Sequence, residues 1–115
     1  MPVPRRGEVY EINFARSEGA QIKKTRPAVI IQNDVGNRYA PHTIVAAVRA
    51  AERKGSLPVF VRLPKRTAGL TKDSLIDCGH ITTVAIDQLG RRLGTLPPEL
   101  LLDLNTALKR SLALP

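Results

Sequence analysis

The hydrophobic period changes once along this chain, at Pro97 and Pro98. Beyond that pair, Leu101, Leu104, Leu108 and Leu112 recur every three or four residues, the spacing of one face of a helix, with proline placed where a first turn tolerates it. Before it, apolar residues come in short blocks separated by Gly, Pro and charge. "GEVYEINF" alternates, with Tyr10, Ile12 and Phe14 on one face and Val9, Glu11 and Asn13 on the other. "PAVIIQN", "TIVAAVRA" and "LPVFVRL" read as further strands, and "SLIDCGHITTV" as one or two more with Gly79 at a bulge. "DVGN" reads as a turn and "AIDQLGRRLG" as weakly helical. About five strands followed by a helix predict a small β-barrel with one helix packed on it, in a single domain spanning residues 1–115.

The core of such a barrel must be aliphatic, because the chain has two Tyr, two Phe and no Trp. Lys and Arg number 18 against 10 acidic residues, for a formal net charge of +8. That balance favours a polyanionic partner: nucleic acid, an anionic surface or an acidic peptide. Cys78 is the single cysteine, so an intrachain disulfide and a cysteine zinc cluster are both excluded. The start of the sequence lacks the apolar core of a signal peptide, and no apolar run approaches the roughly 18 residues that span a bilayer. A cytoplasmic protein without membrane contact is expected.

No Gly-rich phosphate loop and no His-Glu-x-x-His zinc pattern is present, and neither a metal nor a cofactor is expected. The candidate chemistry is cationic. Arg26 precedes Pro27, which biases it to extended backbone and would fix a guanidinium at the entry of a rigid strand. Taken alone it reads first as a solvated loop cation. Arg49, at the end of "TIVAAVRA", reads as a strand-end charge. His80 has the right kind of side chain for proton transfer, although a structural histidine is the commoner case. Lys65, Arg66 and Lys72 surround the "TAGLT" loop, where they either line a nucleic-acid groove or solubilise the loop.

In order along the chain, "RGEVYEINF", "TRPAVIIQNDVGNRYAP", "TIVAAV", "LPVFVRL", "GLTKDSLIDCGHITTV" and "ALKRSLAL" resemble the MazF/PemK family of toxin endoribonucleases, from about Arg6 to Leu114. The resemblance implies an SH3-like barrel with a C-terminal helix, a homodimer, and metal-independent, sequence-specific cleavage of single-stranded RNA. It also implies a MazE-like antitoxin whose acidic C-terminal tail occupies the RNA channel. By the same resemblance Arg26 is a catalytic arginine. The family's threonine at the end of the "IVAA" strand is here Arg49, and the glutamine common in the later strand is His80. Arg26, Arg49 and His80 are therefore the expected catalytic residues. Lys23, Lys24, Lys65, Arg66, Gln32 and Asn33 are the expected RNA contacts, with loop 15–25 covering the substrate. The expected reaction uses the substrate's 2′-OH and leaves 2′,3′-cyclic phosphate and 5′-OH ends. Two alternatives stand beside it: a non-cutting binder on the same barrel, like the CcdB-type gyrase poisons, and a DNA-binding autoregulator supported by charge alone.

Overall fold

The computed structural model describes residues 3–14, 25–51 and 56–115. Lys23, Lys24 and most of loop 15–25 lie outside them. Six strands form one antiparallel sheet: β1 (Glu8–Asn13), β2 (Thr25–Ile30), β3 (His42–Ala50), β4 (Phe60–Leu63), β5 (Ser74–Ala85) and β6 (Leu89–Thr95), in the order β4-β5-β3-β2-β1-β6. Helix α1 (Asp34–Tyr39) joins β2 to β3, and α2 (Pro98–Leu112) follows β6.

The sheet is curled into a small barrel. Val84 of β5 and Leu89 of β6 share an apolar cluster with Tyr10, Ile12, Ala28, Ile30 and Val45. In a flat sheet β5 and β6 would stand four strand spacings apart, about 19 Å. They meet only because the sheet coils. The opposite face carries the second cluster, in which Val9, Val29, Ala46, Val48 and Ile76 pack under Leu104, Ala107 and Leu108 of α2. Fully burying one such leucine contributes about 1.5–3 kcal/mol. Leu104 and Leu108 thus fill the expected apolar stripe, whereas Leu112 is 54% exposed.

Two local expectations are corrected. "DVGN" begins a helix rather than a turn. Asn33 caps it, its Oδ1 accepting from the Gly36 N–H at 2.7 Å. The buried Asn37 ties it down: its Oδ1 accepts from Thr43 Oγ1 at 2.6 Å and from Gln32 Nε2 at 3.1 Å, and its Nδ2 donates to the Gln32 carbonyl at 3.0 Å. "AIDQLGRRLG" is not helical beyond a three-residue 3₁₀ turn at Ile86–Gln88; Leu89–Thr95 is strand β6, paired with β1 through two register shifts. Among the described residues no helix is long and apolar enough to cross a membrane.

Candidate active site

The β2–β3 ladder stops short on one side, and the reason is in the sequence. Ala28 pairs with Ala47, but no pairing is formed beyond, while β1 and β2 stay paired as far as Asn13 and Thr25. Pro27 is the next residue; it has no N–H to donate, and a ladder ends readily beside it. The strands part there and leave a cleft of about 450 Å³ lined by Arg26, Pro27, Val48, Arg49, Ala50, Leu70, Thr71, Lys72 and Ser74. Extending the register two residues past Ala28–Ala47 sets Arg26 opposite Arg49. The two expected catalytic arginines therefore come from adjacent strands to one opening.

The far wall is the loop from Pro64 to Asp73. Glycine makes its seat possible. A Cβ on Gly69, whose φ is +79°, would lie 1.9 Å from the Leu93 carbonyl oxygen, and one on Gly94 would lie 2.4 Å from the Ala68 carbonyl carbon. Loop and β6 thus meet backbone to backbone. The Lys65 N–H donates to Asp73 Oδ1 at 2.8 Å, and the Arg66 N–H to the Leu70 carbonyl at 2.6 Å, closing the loop on itself. Arg66 and Ala68 are held at positive φ, a strained arrangement of the kind that gathers at functional sites. Lys65 and Arg66 are exposed on this loop, and Lys72 reaches the cleft as its third cation. No carboxylate lines the cleft among the described residues.

His80 arrives by a different device. Ala46 pairs with Ile81 and Ala47 with Asp77, so residues 78–80 bulge from β5. The bulge is tied in place: Cys78 N–H donates to the Val59 carbonyl at 2.9 Å, Ser111 Oγ donates to the Cys78 carbonyl at 2.7 Å, and Gly79 N–H donates to Asp77 Oδ1 at 2.9 Å. His80 is thereby presented to Arg49, whose Nη2 donates to His80 Nδ1 at 2.9 Å. Arginine can only donate. Nδ1 is therefore the acceptor, and the neutral ring carries its proton on Nε2. Asp77 Oδ2 stands 3.5 Å from Arg49 Nε as an ion pair. Cys78 beside it is core: burial, then the Asp77 carboxylate, push its thiol up to about 11, so it is not a thiolate near neutral pH.

Gln32 and Asn33 do not line this cleft. Gln32 Nε2 donates to Asn37 Oδ1 and to the His42 carbonyl, and Asn33 caps α1. Both face a separate groove beside the end of α2. Thr71, Ser74 and Asp77 are residues at the site that the sequence did not single out, whereas Lys72 was read as lining a nucleic-acid groove or solubilising its loop. Those three depend on register and loop closure.

Residues 5–112 match the family described as PemK-like, MazF-like toxin of type II toxin-antitoxin system. The chain belongs to that toxin family. The endoribonuclease MazF of Staphylococcus epidermidis is 37% identical over 110 residues, covering 96% of this chain and 92% of that protein. The endoribonuclease EndoA of Bacillus subtilis (strain 168) is 35% identical over 112 residues, covering 97% of each. Among solved structures, an endoribonuclease from Mycobacterial species matches with a TM-score of 0.81 at 26% identity, over 100% of this chain and 96% of that one. An endoribonuclease in complex with its cognate antitoxin, also from Mycobacterial species, matches with a TM-score of 0.80 at 26% identity, over 97% of each chain. The PemK/MazF fold thus carries, in this member, Arg49 and His80 in contact at the edge of the Arg26 cleft.

Proposed function

We propose that the Arg26–Arg49 cleft is where this toxin endoribonuclease cuts single-stranded RNA, without a metal ion. The observation that carries the reading is the cleft itself: arginines from two strands line the gap beside Pro27 together with Lys72, and no carboxylate lines the wall among the described residues. Such a site suits a phosphodiester. The 2′-OH gives up its proton as its oxygen bonds to the adjacent phosphorus, the bond from phosphorus to the 5′-oxygen breaks, and the products are a 2′,3′-cyclic phosphate and a 5′-oxygen that takes up a proton. Negative charge grows on the non-bridging oxygens in the transition state, and fixed guanidinium groups stabilise it where it grows.

Arg26 and Arg49 hold those oxygens in this proposal. Arg49 occupies the position of the family threonine and replaces one hydroxyl donor with a planar, permanently charged fork. His80 carries the kind of side chain suited to proton transfer. Its Nδ1 accepts from Arg49, so in this arrangement any proton it exchanges passes through the Nε2 edge of the ring. His80→Gln keeps an acceptor for Arg49 and cannot exchange protons. An unchanged rate and pH profile in that variant would remove His80 from proton transfer.

Lys65, Arg66 and Lys72, with Lys23 and Lys24 of the preceding loop, supply the basic approach for the RNA backbone. Gln32 and Asn33 are assigned the structural part their hydrogen bonds support, rather than RNA contact. The same cations suit the acidic tail of a MazE-like antitoxin, so antitoxin and RNA should compete. A homodimer is part of the proposal. It is supported by a groove of about 630 Å³ whose wall includes Ile31, Ile44, Ile81 and Leu108, with Leu112 and Leu114 more than half exposed at its edge.

The test is incubation of the purified protein with a long transcript in EDTA. Discrete fragments with 5′-OH ends are expected. Intact RNA, with the protein folded and bound to it, would replace this reading with a non-cutting binder.

A further inference from the structure

We infer that Asp77 is a positioning residue for RNA cleavage, acting through Arg49; the inference rests on the cutting site proposed above. Asp77 sits on β5, paired on both sides, opposite Ala47 of β3 and Phe60 of β4, with its side chain only 16% exposed. Its neighbours Ile76 and Cys78 are fully buried. Aspartate is among the residues least suited to such a strand position, and burying a carboxylate there is unfavourable without partners. A local rule broken in a strand interior points to a use for the residue.

The partners show the use. One oxygen, Oδ1, accepts the Gly79 N–H and holds the bulge that presents His80. The other, Oδ2, faces Arg49 Nε. Arg49 is a long side chain, 42% exposed, on the wall of the cleft. Left alone it would sample many rotamers, and a charge that wanders stabilises a transition state poorly. Asp77 fixes the Nε end and His80 meets Nη2, which leaves the Nη1 edge to face a phosphate. Among the described residues, the charged and titratable groups near the pair are the His80 ring, the protonated Cys78 thiol, and Arg26 and Lys72, which line the cleft with Arg49; Ala47 and Phe60 across the two ladders are apolar.

This arrangement predicts a separation that a merely structural aspartate would not produce. Asp77→Asn keeps an oxygen for the Gly79 N–H, so the bulge stays closed. It removes the charge that orients Arg49, and with it a carboxylate near the RNA phosphates. RNA should bind as tightly as before or more tightly, while the cutting step slows.

The experiment compares wild type, Asp77→Asn, Arg49→Thr and the double variant as full chains on one long transcript, measuring the rate at saturating protein, the half-saturation concentration and the thermal melt. Arg49→Thr should slow cutting about a hundredfold or more, the scale of losing one charge-stabilising donor. Asp77→Asn should slow it less, roughly tenfold, with half-saturation unchanged or lower and the melt near wild type. In the double variant the Asp77 change should add nothing to the Arg49 loss, and Asp77→Glu should recover part of the rate. If Asp77→Asn cuts at the wild-type rate while Arg49→Thr is slow, the inference fails and the cutting site stands. If the Asp77 change slows both backgrounds alike, or lowers the melt in both, Asp77 serves the bulge alone and the inference is overturned. If Arg49→Thr cuts as fast as wild type or faster, Arg49 has no role to be positioned for, and the proposed part of Arg49 falls as well. A wild-type protein that leaves RNA intact removes the cutting site itself.

Discussion

Gly94→Ala should damage the active site from the opposite side of a loop. Gly94 lies in β6, outside the cleft lining, and its φ is ordinary, so alanine is conformationally acceptable there. Space is the difficulty. A Cβ would stand 2.4 Å from the Ala68 carbonyl carbon, 2.6 Å from its oxygen and 2.9 Å from its Cα. Ordinary contact begins near 3.4 Å, so the loop backbone must retreat by about 1 Å. Overpacking of that kind typically costs 1–3 kcal/mol, roughly 4–12 °C in melting temperature for a domain of this size. Ala68 leads directly into Leu70, Thr71 and Lys72, which form the cleft wall. A misplacement near 1 Å can slow catalysis as much as a hundredfold. The assay is single-turnover cutting of a long transcript beside a thermal melt, with Gly90→Ala as control. There the nearest atom is Glu11 O at 3.1 Å, and a shift of a few tenths of an ångström suffices. A Gly94→Ala protein that cuts within about twofold of wild type and melts within about 2 °C would refute the view that the Pro64–Asp73 loop is a fixed wall of the site.

Glu8 is a buried carboxylate at the start of β1, 5% exposed, that accepts from Arg5 N–H at 2.6 Å, Tyr10 Oη at 3.3 Å and Arg92 Nη1 at 2.8 Å. Glu8→Ala strands the buried Tyr10 hydroxyl and should lose about 2–3 kcal/mol in urea unfolding, less in a Tyr10→Phe background. Alkali should also unfold the protein progressively through Cys78. Its thiol keeps its proton up to about 11 when folded, against an ordinary value of 9.0. The unfolded chain therefore loses that proton first, and stability present below pH 9 is lost as the pH rises through 11. Tyr10, raised by its own burial and then by Glu8, extends the same trend above pH 10. Melting temperature against pH should fall less steeply between pH 9 and 10 in Cys78→Ala; an identical slope would show that Cys78 is not the group responsible.

The parts of this fold set by local pattern were legible in the sequence. Pro97, Pro98 and the leucine period mark α2, and "TIVAAVRA" marks β3, because burial on one face imposes those spacings. Helix α1 was not, since Asp34, Val35, Gly36 and Asn37 have turn composition, and the helix is stabilised by the distant Thr43 hydroxyl on Asn37. Strand β6 was hidden for a related reason. Gly90, Arg91, Arg92 and Gly94 carry no apolar alternation; pairing with β1 and the close approach of Ala68 make it a strand. The site divides the same way. Arg26 stands out beside its proline. Its facing Arg49 is a matter of register, as is Asp77, which pairs with Ala47 while Arg49 pairs with Leu75; His80 joins them because residues 78–80 bulge from β5.

In the proposed reaction a phosphodiester is held and cut between the arginines beside Pro27. Arg26→Ala tests it most directly. Arg26 is exposed, so its loss should leave the melt within a few degrees of wild type. The single-turnover rate on a long transcript in EDTA should fall about a hundredfold or more, the scale of one lost charge-stabilising contact. A folded Arg26→Ala protein that still cuts that transcript at the wild-type rate would contradict the account.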